Sequence, residues 1–345
     1  MSFETILAVV AILLAIGFDF VNGFHDTANA VSTVIYTKAL KPNYAILLSG
    51  LLNFLGALLV GTQVALVITR IVPADSISLS FILSSLLASL LWNLITWWYG
   101  IPVSSSHCLI GSLFGSGLLA CGFEHLALGE LKKVLLALLI SPILGFTLGS
   151  IITYLTLKIS REKLINNQKD ADNHDTLTRY LHIFACATMS FSHGGNDGQK
   201  TMGIITLILA VHFAKYGYDI NHVPLWVITC AALAISLGTV IGGWRVIRTI
   251  GTKISREKMT HSQGFGACFS TAIISLAASF VGAPISTTHT LSSSVAGATI
   301  PVYGVHKLNF TTIKLILLAW LLTLPVAICL SACLFFLIHN IIGIK

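Results

Sequence analysis

The chain has 345 residues, with 20 Lys and Arg against 13 Asp and Glu, a net charge of +7 with histidine neutral, and 55% apolar against 10% charged residues. A mean hydropathy of +0.87 with so little charge lies outside the range of soluble domains, so the chain reads as an all-α polytopic membrane protein. The positive balance is the Lys and Arg excess of cytoplasmic loops rather than a nucleic-acid surface, and seven cysteines without a C-x-x-C pair exclude a disulfide framework and a structural zinc site.

The first apolar segment, about 4–37, is read as a retained helix, because Glu4 stands where a signal peptide would be basic. It holds Asp19 and the polar run Asn22-Gly23-Phe24-His25-Asp26-Thr27-Ala28-Asn29-Ala30. Segments at about 44–68 and 80–99 follow. The next, at about 101–119, opens with Gly100-Ile101-Pro102-Val103-Ser104-Ser105-Ser106-His107, where the proline suits a helix start and the hydroxyls fall in its first turn. A fifth segment, about 134–157, leads into the long polar link 158–179.

A second set of segments runs at about 180–211, 224–243, 265–281, 283–300 and 312–339, and both motifs return in it. His193-Gly194-Gly195-Asn196-Asp197-Gly198-Gln199-Lys200-Thr201 echoes the first, with Asp197 offset from Asp26 by 171. Gly282-Ala283-Pro284-Ile285-Ser286-Thr287-Thr288-His289 echoes the second, with His289 offset from His107 by 182. Similar offsets in the same order imply an internal duplication, with repeats at 1–157 and 180–345 joined by a cytoplasmic linker, 158–179. About five segments per half is an odd number, so the repeats are expected to insert with inverted topology, ten to twelve segments in all, with the pieces at Pro102 and Pro284 re-entrant or spanning. Placing the basic loops 158–179 and 245–258 inside puts both termini outside. Small-residue spacings such as Gly111-x-x-x-Gly115, Gly145-x-x-x-Gly149 and Gly238-x-x-x-Gly242 are expected to let helices approach closely.

Asp19, Asp26, Asp197 and Lys200 fall at membrane depth, where each charge costs roughly 2.5 to 3.5 kcal/mol at a helix centre, so function is the default explanation. Glycine before each motif aspartate is expected to loosen the helix and turn carbonyls toward a cation, which Asp26 and Asn29 would hold. In the second copy Lys200 takes the place of Asn29, pairs with Asp197 and removes one of two cation sites. Unpaired N–H groups and hydroxyls at two opposed helix starts suit a tetrahedral oxyanion: Ser104, Ser105 and Ser106 on one side, Ser286, Thr287 and Thr288 on the other. A dianion added to three carboxylates and one lysine requires accompanying positive charge, carried by a proton on a carboxylate or on His25, His193, His107 or His289, or by a metal cation. Symport is therefore the expected mechanism.

These motifs resemble the inorganic phosphate transporter (PiT) family, whose hallmarks are a G-A-N-D-V-A-N-A-like motif in each half and a P-[VIA]-S-[ST]-[ST]-H motif. The match lies closest to its bacterial low-affinity branch and takes in 22–33, 98–111, 191–203 and 284–297. The resemblance implies a proton-coupled phosphate symporter of the bacterial inner membrane, moving phosphate alone or as a Mg2+ or Zn2+ complex, with no resident cofactor. It assigns the substrate and coupling-ion sites to Asp26, Asn29, Asp197 and the six hydroxyls, to which the residues themselves add Lys200, Asn196, His25 and His193. Expected partners are phosphate, protons and membrane lipid, with a homodimer left open and no nucleic acid. Lys200 departs from the sodium-coupled pattern, and only 215–223 stands where the branch has a long hydrophilic insertion.

The alternatives are sodium coupling, a permease for sulfate or another oxyanion, and a channel. An enzyme is disfavoured, since neither H-E-x-x-H nor G-x-S-x-G occurs. A protonated phosphate can donate hydrogen bonds to Asp26 or Asp197, which sulfate at neutral pH cannot, and this favours phosphate.

Overall fold

A computed structural model describes residues 2–71, 77–126, 128–160, 176–213 and 218–344, the side chains of 27, 28, 30 and 130 excepted. Its described residues are helical, without named strands. The first six helices are α1 (Phe3–Tyr36), α2 (Pro42–Leu59), α3 (Gln63–Ile68), α4 (Leu79–Trp98), α5 (Ser105–Cys121) and α6 (Leu128–Ile159). The same order of long, medium, short, medium, medium and long helices then recurs in α7 (Thr176–His212), α8 (Leu225–Ile241), α9 (Trp244–Thr252), α10 (His261–Phe280), α11 (Thr287–Tyr303) and α12 (Phe310–Phe336). The starts follow local chemistry. Ser2 and Ser78 cap α1 and α4, Pro42 occupies the first turn of α2, and Thr260 and Gln263 form a reciprocal capping box on α10.

Among the described residues, six helices are long and apolar enough to cross a membrane, or seven if the bent pair α8 and α9, which meet at 71°, counts as one span. The sequence pattern predicts ten to twelve segments, with the pieces at Pro102 and Pro284 re-entrant or spanning. The difference has a physical source: α5 and α11 have 17 residues each, and α7 carries the polar run 193–201 at its centre. The region read as the loop after residue 243 contains α9, and most of the 158–179 linker, 161–175, lies outside the described residues.

The outermost helices are α6 and α12, whose apolar stretches are only 22% and 28% buried, against 67% for α4 and α10. α1 and α7 sit inside and run in opposite senses. The Thr201 hydroxyl donates to the Ala15 carbonyl at 3.3 Å, whereas His182 meets Thr33 at 2.9 Å. Two apolar clusters flank their middle: Ala8, Ala11, Ala15 and Phe18 pack with Met202–Leu209, and Val31 and Val34 pack with Ala185, Cys186 and Met189. The polar motifs lie between these clusters.

Both motif regions are unbroken helix, contrary to the expectation that glycine would open them. The glycines serve contact instead. A Cβ on Gly23 would collide with the Ile235 carbonyl of α8, and one on Gly194 with the Asn53 carbonyl of α2. The approach is reciprocal, since Gly238 meets the Phe20 carbonyl and Gly56 the Phe191 carbonyl. Gly115 likewise packs on α12, and Gly145 and Gly149 on α11, whereas Gly242 ends α8 at φ +79°.

Candidate functional site

The breaks lie at the second motif. Residues 101–104 are non-helical, and α5 begins with Ser104 as its N-cap, the hydroxyl accepting from the His107 N–H at 3.1 Å. Ser286 does the same for α11, accepting from the His289 N–H at 3.1 Å. The prolines therefore stand two residues before the caps rather than inside the first turn. The two starts touch, because the Ser106 hydroxyl donates to the Ile285 carbonyl at 2.6 Å and the His107 and His289 rings lie 4.5 Å apart. His289 also stacks on Trp320 of α12 at 3.8 Å.

Each helix start reaches a motif carboxylate. Thr288 of α11 donates to Asp26 Oδ1 at 3.1 Å and accepts from the Asn29 amide at 2.8 Å. Ser105 of α5 lies 3.4 Å from Asp197 Oδ2. Hydroxyls of one half thus meet the acid of the other. The remaining hydroxyls divide up: Ser104 and Ser286 are caps, Ser106 is bound to Ile285, and Thr287 Oγ1 is buried with no hydrogen-bond partner among the described residues.

The charged centre is fully buried. His25 Nδ1 stands 2.7 Å from Asp26 Oδ1, and His193 Nε2 lies between Asp26 Oδ2 at 3.8 Å and Asp197 Oδ2 at 3.6 Å. Lys200 Nζ is 2.6 Å from Asp197 Oδ2 and 3.4 Å from the Ser105 hydroxyl, so the ammonium takes up the position expected of it. Asn22 donates to the same Asp197 oxygen at 3.2 Å. One atom each from Asp26, His193 and Asp197 lies within 4.8 Å of the others, a spacing at which three ligands can share one cation.

Two expected contributors behave differently. Asn196 is spent on structure: its amide donates to Ser279 at 2.9 Å and to the Ala283 carbonyl at 3.3 Å, and its carbonyl accepts from the Ile285 N–H at 3.4 Å. It ties α7 to the turn that aims α11 and does not enter the coupling-ion group. Asn29 offers its amide to Thr288 and keeps Oδ1 buried without a partner among the described residues. Asp19 lies beside Asn22 and Thr201, with both oxygens buried.

Three residues were missed. Asn53 on α2 holds His193 Nδ1 at 2.9 Å and so leaves Nε2 for the carboxylates; Gln199 accepts from the Val64 N–H at 2.7 Å and fixes α3 to α7. Trp320 donates to the Pro102 carbonyl at 3.2 Å, bracing the break before α5. A lone asparagine within the apolar run of α2 was the available signal. An apolar cavity of about 270 Å3, lined by residues including Phe146, Ala296, Ile313 and Trp320, contains none of the acids.

Comparisons with known proteins agree over nearly the whole chain. The profile described as "Phosphate transporter family" matches residues 22–331. A Bacillus subtilis (strain 168) protein named "Probable low-affinity inorganic phosphate transporter" is 41% identical over 345 residues, spanning 99% of this chain and 100% of that one. A Buchnera aphidicola subsp. Schizaphis graminum (strain Sg) "Low-affinity inorganic phosphate transporter" is 30% identical, covering 95% of each chain. A solved structure titled "The sodium-dependent phosphate transporter" superposes with a TM-score of 0.83 at 26% identity, covering 97% of this chain and 99% of that one.

Proposed function

The chain belongs to the phosphate transporter family, and from that premise we propose that it imports inorganic phosphate together with protons, by alternating access, across a bacterial plasma membrane. Phosphate is held between the starts of α5 and α11 by Ser105, Thr287, Thr288 and the first-turn N–H groups. The observation that carries proton coupling is the 2.6 Å contact of Lys200 with Asp197. A permanent ammonium at the position matching Asn29 takes the place of one monovalent cation and leaves Asp26, His25 and His193 to vary in charge.

The repeats 1–157 and 180–345 insert in opposite senses with both termini outside. The antiparallel α1 and α7 and the recurring helix order support this arrangement. Lipid contacts α6 and α12, the least buried helices. A divalent cation travelling with phosphate would be met by Asp26, His193 and Asp197.

Proteoliposomes with an inward pH gradient and no sodium are expected to concentrate labelled phosphate, with arsenate competing and sulfate not. Uptake that requires sodium and ignores the gradient rejects the proton reading. Sodium coupling is the second reading, because the solved neighbour at 26% identity is titled sodium-dependent.

A further inference from the structure

From Asp19 to its C-terminal cap, one face of α1 is polar. Asp19, Asn22, Asp26, Asn29, Thr33 and Thr37 follow at spacings of three or four residues, which puts them on a single stripe, and all are buried. At 1.5 Å per residue this stripe is about 27 Å long, close to the ~30 Å of a hydrocarbon core. Phosphate and cation binding use only its middle.

Beyond Asn29 the stripe ends in a cluster with no part in that binding. His182 of α7 sets Nε2 2.9 Å from the Thr33 hydroxyl and Nδ1 3.4 Å from the Thr37 hydroxyl. Cys268 Sγ of α10 lies 3.1 Å from the same Thr33 hydroxyl, and the His261 ring at the start of α10 is 6.0 Å from that of His182. The backbone of α10 is shaped around the imidazole, since a Cβ on Gly264 would collide with the His182 ring. The motif offset places Ile204, Ile208 and Ala11 opposite Thr33, Thr37 and His182, so the duplication did not create this cluster. It lies toward the linker end, where Arg179 donates to the Ala39 carbonyl at 3.1 Å.

We propose that His182 is the proton-exit residue of the transporter, an inference that rests on the proton coupling proposed above. A proton released from the Asp26–His193 centre after phosphate departs crosses the turn between Asn29 and Thr33. The Asn29 carbonyl and the Ser32 hydroxyl, both buried and without a hydrogen-bond partner among the described residues, lie on that turn. The Thr33 hydroxyl hands its proton to Nε2 of His182 as it takes up the incoming one. His182 then loses the Nδ1 proton toward Thr37, His261 and the aqueous end, and a ring flip restores the neutral starting form; no electrons move. Facing His182 from α10 are the titratable groups His261, its ring 6.0 Å away, and Cys268, which shares the Thr33 hydroxyl; α1 presents hydroxyls, and the imidazole alone sets one nitrogen toward each of two of them.

The test compares His182→Gln with wild type in proteoliposomes by two assays of labelled phosphate. Uptake driven by a pH gradient requires proton release, whereas phosphate counterflow at equal pH does not. Gradient-driven uptake is expected to fall at least about tenfold, on the scale of losing a proton-transfer group, with counterflow kept within about twofold. Thr33→Val is expected to show the same split. A parallel loss of both activities, or loss of neither, overturns the proposal. If wild type itself ignores the pH gradient, the coupling reading fails first and takes this inference with it.

Discussion

Asp26 and Asp197 stand at matching positions of a repeated motif, yet their neighbours differ in kind. Asp26 is held by His25 at 2.7 Å, Thr288 at 3.1 Å and His193 at 3.8 Å, two imidazoles and a hydroxyl. Asp197 is held by the Lys200 ammonium at 2.6 Å, with Asn22 at 3.2 Å and with His193, which it shares with Asp26, at 3.6 Å. One difference, asparagine in the first copy and lysine in the second, therefore separates a carboxylate beside imidazole and hydroxyl from one paired with an ammonium. On the proposed proton-coupled reading, the ion pair would aim the anion site without exchanging charge and the Asp26 side would do the exchanging.

The largest effect that tests this division is removal of either charge. Asp26→Asn and Asp197→Asn are each expected to abolish phosphate uptake, read as initial rates in proteoliposomes. Thermal unfolding in detergent separates the two. Asp197→Asn leaves Lys200 buried without its counter-ion, a defect that costs about 3–5 kcal/mol in comparable pairs, so its midpoint falls. Asp26→Asn strands no permanent charge and holds the midpoint near wild type. Equal shifts would remove the distinction between the acids.

A smaller effect follows from making the copies alike. Lys200→Asn restores the residue found at 29 and leaves Asp197 to seek a cation from solution. Its melting midpoint is expected to drop in choline chloride and recover in sodium chloride at equal ionic strength, with wild type indifferent to the exchange. A variant equally indifferent to sodium would show that lysine does not stand in for a cation.

How far this was readable beforehand depends on the kind of information. Membrane embedding, the segment order and the pairing of Lys200 with Asp197 follow from composition, apolar run length and a spacing of three residues on one helix. The role of Gly23 and Gly194 did not follow. Whether glycine opens a helix or admits a neighbour depends on what packs there, and the Ile235 and Asn53 carbonyls are distant in sequence. The partners of Asn196 were hidden for a similar reason, because Ser279 and Ala283 lie more than 80 positions away. Which of six hydroxyls meets an acid was hidden too: Ser105 does so in one copy and Thr288, not its counterpart Thr287, in the other.

That offset between hydroxyls supplies the smallest difference. Thr288 makes two side-chain contacts, a donated bond of 3.1 Å to Asp26 and an accepted one of 2.8 Å from Asn29, so Thr288→Val removes both while conserving shape. Ser105 stands 3.4 Å from both Asp197 and Lys200, which already meet each other at 2.6 Å, so Ser105→Ala removes two long contacts. A bond to a charged group is worth about 1.5–3 kcal/mol and a long or neutral one about 0.5 kcal/mol. Phosphate KM is therefore expected to rise about tenfold or more for Thr288→Val, and about two- to threefold for Ser105→Ala. The order matters more than the sizes. If Ser105→Ala were the more damaging, the helix start facing the fixed ion pair would hold the substrate more tightly, and the Asp26 side would lose its assignment as the variable partner.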